Sequence, residues 1–278
     1  MMLVMLGIFA KTFARPTLEE NLDAVVNCGL HAIQFNMSCV GLPTLPASIE
    51  PSLIERIHKE TDVRGITMSA ISGTYNMVHP DVRLRKAKLQ RLRVLAAACK
   101  DMGTSIITLC TGTRDTTDMW RWHPDNNSGR AWMDLCSVMG GALQIAEDEG
   151  ITLAFEPEQA NVVRSAFQAR LLLDTMRSSH LKVVIDPANL FTPDSAQSLS
   201  DILERAFAIL GPDIIIAHAK DRLPDGTVTA AGTGILDYDH YLRLLRSINF
   251  TGPLILHGLD EAQIPAAIHF LSTKLQAE

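Results

Sequence analysis

The hydrophobic positions of this chain follow two alternating rhythms. Short, nearly uninterrupted apolar runs fall at Leu3–Phe9, Ala32–Phe35, Ile66–Ile71, Ser105–Cys110, Ile151–Phe155, Lys182–Ile185, Asp213–Ala217 and Pro253–Leu256. Runs this short, and this rich in aliphatic and β-branched residues, predict strands buried on both faces of a parallel sheet. The stretches between them have helical spacing and recognisable ends. Thr17-Leu18-Glu19-Glu20 fits a capping box, and Gly29 follows as a stop. Leu89, Leu92, Leu95, Ala96 and Cys99 recur helically before Gly103, as do Trp132, Leu135, Cys136, Met139, Ala142, Leu143 and Ala146 before Gly150. Further helices are predicted near 165–177, 197–210, 237–248 and 263–274.

Eight strand–helix units without a low-complexity linker predict an α/β fold, a single (β/α)₈ TIM barrel forming one domain over residues 1–278. The length suits such a barrel, for which about 250 residues is typical. An open doubly wound sheet would give the same alternation, but no G-x-G-x-x-G follows the first strand to mark a dinucleotide site.

Composition narrows the function more than the fold. Hydrophobic residues at 47% against 20% charged provide a large core and argue against disorder. A net charge of −6 gives no overall attraction for nucleic acid, and the basic run Arg83–Lys88 has alanine and leucine at helical spacing, as a solvated helix face does. The five cysteines form no C-x-x-C pair, so reduced thiols in a cytoplasmic protein are expected. Met1–Ala10 lacks the basic flank of a signal peptide and is too short to span a membrane; it reads as the first strand.

In a barrel, chemistry gathers where strands run into their following loops. The fifth to eighth apolar runs end in Glu156-Pro157-Glu158, Asp186-Pro187-Ala188-Asn189, His218-Ala219-Lys220-Asp221 and His257-Gly258. Any one of these polar residues alone reads equally well as a helix N-cap or a satisfied rim group. Together they bring two carboxylates and two imidazoles to one rim, a donor set that suits Mn²⁺, Mg²⁺, Fe²⁺, Co²⁺ or Zn²⁺. Weaker candidates lie on the other loops. Asn76 and His79 follow the third strand within reach of a polyol, although a Pro-terminated loop explains them too. Gln34, Asn36 and Ser38 close the second strand, and Trp120, Arg121, Trp122 and His123 sit in the long loop after the fourth, as a lid or a hydrophobic clamp.

These endings, with L-A-F-E-P-E (153–158), V-I-D-P-A-N (184–189), A-H-A-K-D (217–221), G-T-G-I-L-D-Y (232–238) and G-P-L-I-L-H-G (252–258), resemble the sugar phosphate isomerase/epimerase superfamily of xylose isomerase-like TIM barrels. Tagatose 3-epimerase, hydroxypyruvate isomerase and inosose dehydratase belong there, with endonuclease IV a distant relative. The resemblance covers nearly the whole chain. It implies a divalent metal held by Glu156, Asp186 and His218, with His257 where the family usually has a glutamate. Asn189 stands where many members have a substrate-binding histidine, and Gln34 where glutamate is frequent.

What the resemblance implies is proton transfer next to the carbonyl of a small carbohydrate through an enediolate. Glu156 or Glu158 would be the base, and His257 either a ligand or an acid/base group. Asn76, His79, Glu158, Asn189, Lys220, Asp221 and Arg222 are the expected substrate contacts. Replacement of the usual glutamate by His257 leaves room for a dehydratase or lyase, or for a sugar-binding barrel without activity. An endonuclease-like phosphodiesterase fits less well, because nine histidines, several on helices, and an acidic chain do not suit a multinuclear zinc site on DNA. No membrane or nucleic-acid partner is expected, and the family's habit is a homodimer or homotetramer.

Overall fold

Each predicted apolar run becomes a strand, and all eight close on themselves. The computed structural model describes residues 4–191 and 197–276. The barrel strands are β1 (Met5–Phe9), β2 (Ala32–Phe35), β3 (Thr67–Ser72), β4 (Ile106–Cys110), β5 (Thr152–Glu156), β6 (Leu181–Ile185), β7 (Ile214–Ala219) and β10 (Pro253–Leu256). They pair in parallel in the order β1-β10-β7-β6-β5-β4-β3-β2, and β2 returns to β1 through Ile8 opposite Ile33. Leu3, at the start of the first predicted run, lies outside the described residues.

Helices α1 (Leu18–Asn27), α3 (Val82–Cys99), α4 (Gly129–Glu149), α5 (Ala166–Met176), α7 (Leu199–Leu210), α8 (Tyr238–Ser247) and α9 (Ile264–Gln276) match the periodic stretches. The Thr17 cap is made, its side chain accepting from the Glu20 N–H at 3.3 Å. Helix α2 (Pro51–Asp62) and the one-turn α6 (Pro187–Leu190) gave weaker signals. Helix α2 has only Leu53, Ile54 and Ile57 as an apolar stripe, and its N-cap Glu50 makes no capping hydrogen bond. A small antiparallel hairpin, β8 (Asp221–Arg222) with β9 (Val228–Thr229), interrupts the seventh strand–helix unit and was not foreseen. Pairs this short carry no periodic signal.

The core is layered as the alternation of strand side chains requires. Most buried apolar residues fill the shell between strands and helices. Inside the barrel, Phe9, Ala70, Ala154, Val184, Ile216 and Ile255 form a separate plug. Cutting Ile216 or Ile255 to alanine would cost roughly 2–5 kcal/mol. The plug is tight enough that a Cβ on Gly7 would meet the Ala32 carbonyl oxygen at 2.7 Å. No helix among the described residues is long and apolar enough to cross a membrane.

Candidate active site

The next inward-facing side chains, two residues beyond the plug on each strand, form the floor of the barrel mouth. Ala154, Val184, Ile216 and Ile255 are followed at that spacing by Glu156, Asp186, His218 and His257. The apolar layer and the polar layer thus belong to one period-2 pattern.

Three of these groups converge. Glu156, Asp186 and His218 each offer one ligand atom, all within 4.8 Å of one another. His218 Nδ1 stands 3.5 Å from Glu156 Oε2 and 3.6 Å from Asp186 Oδ2. Its other nitrogen, Nε2, donates to Gln34 Oε1 at 3.0 Å, and Gln34 Nε2 donates to Thr108 Oγ1 at 3.2 Å. With Nε2–H committed to Gln34, Nδ1 is the nitrogen turned toward the two carboxylates. Asp186 Oδ2 and His218 Nδ1 are buried without a hydrogen-bond partner, a rare condition for groups so expensive to desolvate. Two carboxylate oxygens and an imidazole nitrogen, two of the three orphaned, fit a divalent cation.

Electrostatics tie the cluster together. Burial disfavours charge on His218, but Glu156 and Asp186 outweigh it and raise its pKa to about 9. Burial likewise opposes the Asp186 carboxylate, yet Lys220 and His218 hold it well below the usual carboxylate range. Lys220 Nζ lies 2.8 Å from Asp186 Oδ2, as an ion pair out of hydrogen-bond alignment, and donates to Asn189 Oδ1 at 2.7 Å. Asn189 Nδ2 donates to Glu156 Oε1 and, at 3.3 Å, to Glu158 Oε2. Glu158 is pushed up to about 7 by burial and by the neighbouring Glu156 charge, against the pull of Lys220.

His257, the fourth expected ligand, stands beside the three-residue cluster and not within it. Its ring packs 5.3 Å from Phe9 and 5.0 Å from His218, and its Nδ1 is buried without a partner. Burial and the nearby His218 and Lys220 charges hold it well below the ordinary histidine pKa, so it is neutral.

A cavity of about 500 Å³ opens over this floor, lined by Glu156, Glu158, Asn189, Lys220 and His257 on one side and by Gln34, Ser72 and Thr108 on the other. Four expected substrate contacts lie off it. Asn76 Oδ1 accepts from the Val78 and Thr113 N–H groups, and His79 Nδ1 accepts from the Asp81 N–H; both side chains organise the loops after β3 and β4. Asp221 is fully buried and accepts from the N–H groups of Arg222, Gly232, Gly234 and Leu236. That is the reason for Gly234 of the G-T-G motif: a Cβ there would fall 2.3 Å from Asp221 Oδ1. Arg222 is committed to the Ala188 and Gly226 carbonyls and faces an outer groove instead of the cavity.

Parity separates these cases. Counting inward from Ile216 and His218 places Lys220 inside and its neighbour Asp221 outside. The same count finds Ser72 above Ala70, a cavity residue not singled out from sequence, and Thr108 was missed with it. The strand carrying His218 and Lys220 is anchored from α8, where the buried Tyr241 and Tyr238 hydroxyls donate to the His218 and Lys220 carbonyls at 3.1 Å each.

Solved structures share this architecture. A D-tagatose 3-epimerase-like protein aligns with TM-score 0.78 at 15% identity, covering 99% of this chain and 98% of that one. The 3-keto-D-glucoside 4-epimerase YcjR from E. coli aligns with TM-score 0.75 at 17% identity over 97% and 99%. The IolI protein, solved with a bound zinc atom, gives TM-score 0.72 at 17% identity over 98% of each chain. No curated protein matches the sequence significantly. Residues 22–274, however, match the family described as xylose isomerase-like TIM barrel. With that match spanning all but the ends of a closed eight-stranded barrel, the chain belongs to the xylose isomerase-like TIM barrel family.

Proposed function

We propose that this protein is a divalent-metal-dependent isomerase or epimerase of a small carbohydrate, moving a proton at a carbon next to a carbonyl. The observation that carries this reading is the convergence of Glu156, Asp186 and His218, two of their atoms orphaned, on the floor of a polar cavity. The epimerases among its structural neighbours and the zinc atom in one of them agree with it.

Glu156, Asp186 and His218 would hold the ion, with Mn²⁺, Mg²⁺, Co²⁺, Fe²⁺ and Zn²⁺ all compatible with the donors. When bound, it supplies Lewis-acid stabilisation of the negative charge that develops on the substrate oxygen. Lys220, inside and cationic, adds to that stabilisation from the cavity wall. Gln34, Ser72 and Thr108 present neutral donors and acceptors suited to sugar hydroxyls. Glu156 is the base, its carboxylate oriented by Asn189. His257, neutral and beside the cluster, takes the acid/base role that a facing glutamate would otherwise fill.

A dehydratase is the second reading, favoured by Glu158. A carboxyl group raised to about 7 is partly protonated at neutrality and suited to giving its proton to a departing hydroxyl. Incubating Mn²⁺-loaded protein with a panel of ketoses in D₂O decides between them. Deuterium at the carbon next to the carbonyl, with the formula otherwise unchanged, is the expected result; loss of water in the product selects the dehydratase. Glu156→Gln should slow exchange by about 10²–10⁴-fold with the fold intact. Unchanged exchange in that variant would remove Glu156 from its role.

A further inference from the structure

The space over the cluster does not stop at Glu158. A second groove of about 450 Å³ adjoins it, lined by Trp120, Trp122, Glu158, Arg164 and Arg222, and Trp120 and Glu158 face both spaces. Both indoles are exposed, Trp120 by 53% and Trp122 by 41%. The loop that carries them is nevertheless fastened tightly. Asp115 accepts from the N–H groups of Thr117 and Asp118 at 2.9 Å each, and from Arg121 Nε and Nη2 at 2.6 and 2.9 Å. Thr113 Oγ1 donates to the Arg121 carbonyl at 2.8 Å, and Asp118 Oδ1 accepts from the Trp120 N–H at 2.9 Å.

Single exposed hydrophobic residues need no explanation. Two tryptophans held out by a pinned loop, at the lip of a cavity whose floor is polar, are a different matter. An indole face is the surface on which the C–H side of a ring stacks while its polar edge stays in water. Arg164, on the same groove, makes no hydrogen bond or ion pair through its guanidinium among the described residues, in contrast to the fully committed Arg222.

We infer that this groove is a second ring-binding subsite, so that the preferred substrate is a glycoside whose reacting ring keeps its ketone on a carbon other than the anomeric one. One ring sits over Glu156, Asp186 and His218, and its glycosidic bond passes Glu158 and Trp120. The second ring, bearing polar substituents, stacks on Trp120 and Trp122 with a substituent meeting Arg164. The position of the reacting ring rests on the function proposed above.

Calorimetry and indole fluorescence on the Mn²⁺-loaded protein test this with a hexopyranose bearing a ketone on a ring carbon other than the anomeric one, offered as free sugar, methyl glycoside and phenyl glycoside. The phenyl glycoside should bind about tenfold more tightly than the methyl glycoside and quench the indole emission. Trp122→Ala should bring that ratio close to one, and Trp122→Phe should restore part of it. Equal affinities for the two glycosides, or a Trp122→Ala effect of equal size on both, would overturn the subsite. So would a Trp122→Ala change in oligomeric state with the ratio intact, which would assign the tryptophans to a contact between copies. Deuterium exchange separates this from the reaction itself. Exchange without glycoside discrimination removes the subsite alone; discrimination without exchange on any sugar supports the subsite and removes the isomerase reading.

Discussion

The two ends of this barrel handle buried charge in opposite ways. At the end where the strands begin, Asp213 accepts from Lys182 at 2.7 Å and from Arg170 at 2.8 Å, and Arg170 also reaches Asp174 at 2.9 Å. Both carboxylates of this cluster thus have partners of opposite charge. At the end where the strands finish, Asp186 Oδ2 keeps only its ion pair with Lys220, and His218 Nδ1 and His257 Nδ1 are buried without hydrogen bonds. Groups left without hydrogen bonds at one end of a barrel that satisfies them at the other are ones to which a bound cation could supply the missing partner. Charge alone would not have separated the ends, because both carry acids beside lysines.

Three experiments test that contrast. Lys220→Met should have the largest effect, since it leaves the fully buried Asp186 without its cation. Removing one member of a buried pair costs roughly 3–5 kcal/mol. Added Mn²⁺ should raise the melting temperature of this variant more than that of the wild type, because a bound cation replaces the lost charge. An equal metal-induced shift in both proteins would mean that the ion does not meet Asp186.

Gln34→Leu comes next. It takes away the group that fixes the proton on His218 Nε2, and such outer partners are worth about 10–100-fold in metal affinity. Calorimetric titration with Mn²⁺ reads the change directly. Wild-type affinity in this variant would show that the β2 side plays no part in preparing the ligand.

The smallest effect is expected at the opposite end. Asp213→Asn should lower stability by roughly 1 kcal/mol and leave metal affinity unchanged. Burial raises the Asp213 pKa, but the hydrogen bonds from Lys182 and Arg170 prevail and lower it in the folded state. Its contribution is therefore present above the ordinary aspartate pKa of about 3.9 and lost as the pH falls through the lowered native value. Urea midpoints between pH 7 and 3 should decline less steeply in Asp213→Asn than in the wild type. Parallel declines would show that the pairs at this end do not hold the aspartate.

Much of this was legible in the order of residues. Strands ending in Glu156, Asp186, His218 and His257 were visible because a strand buried on both faces is an apolar run, and a polar residue that breaks it stands out. The neutral half of the mouth was harder to read. Ser72 and Thr108 are ordinary residues for strand ends, and only their parity with the apolar plug places them in the cavity. Asn76, His79 and Asp221 show the opposite failure: polar residues in the right loops whose hydrogen bonds go to neighbouring backbone. Local sequence cannot distinguish a side chain that waits for substrate from one that braces a turn.

By itself, then, the sequence determined the eight strands, their parallel sense and the residues at their ends. These follow from apolar runs, helix caps and a two-residue alternation, all of which are local. Tertiary structure decided which donors meet. His218 turns Nδ1 toward Glu156 and Asp186 because Gln34, 184 positions away, holds its other nitrogen. Lys220 faces Asp186, and His257 stands outside the cluster against Phe9. Those choices depend on closing the barrel, which brings strands distant in the chain to within a hydrogen bond of one another.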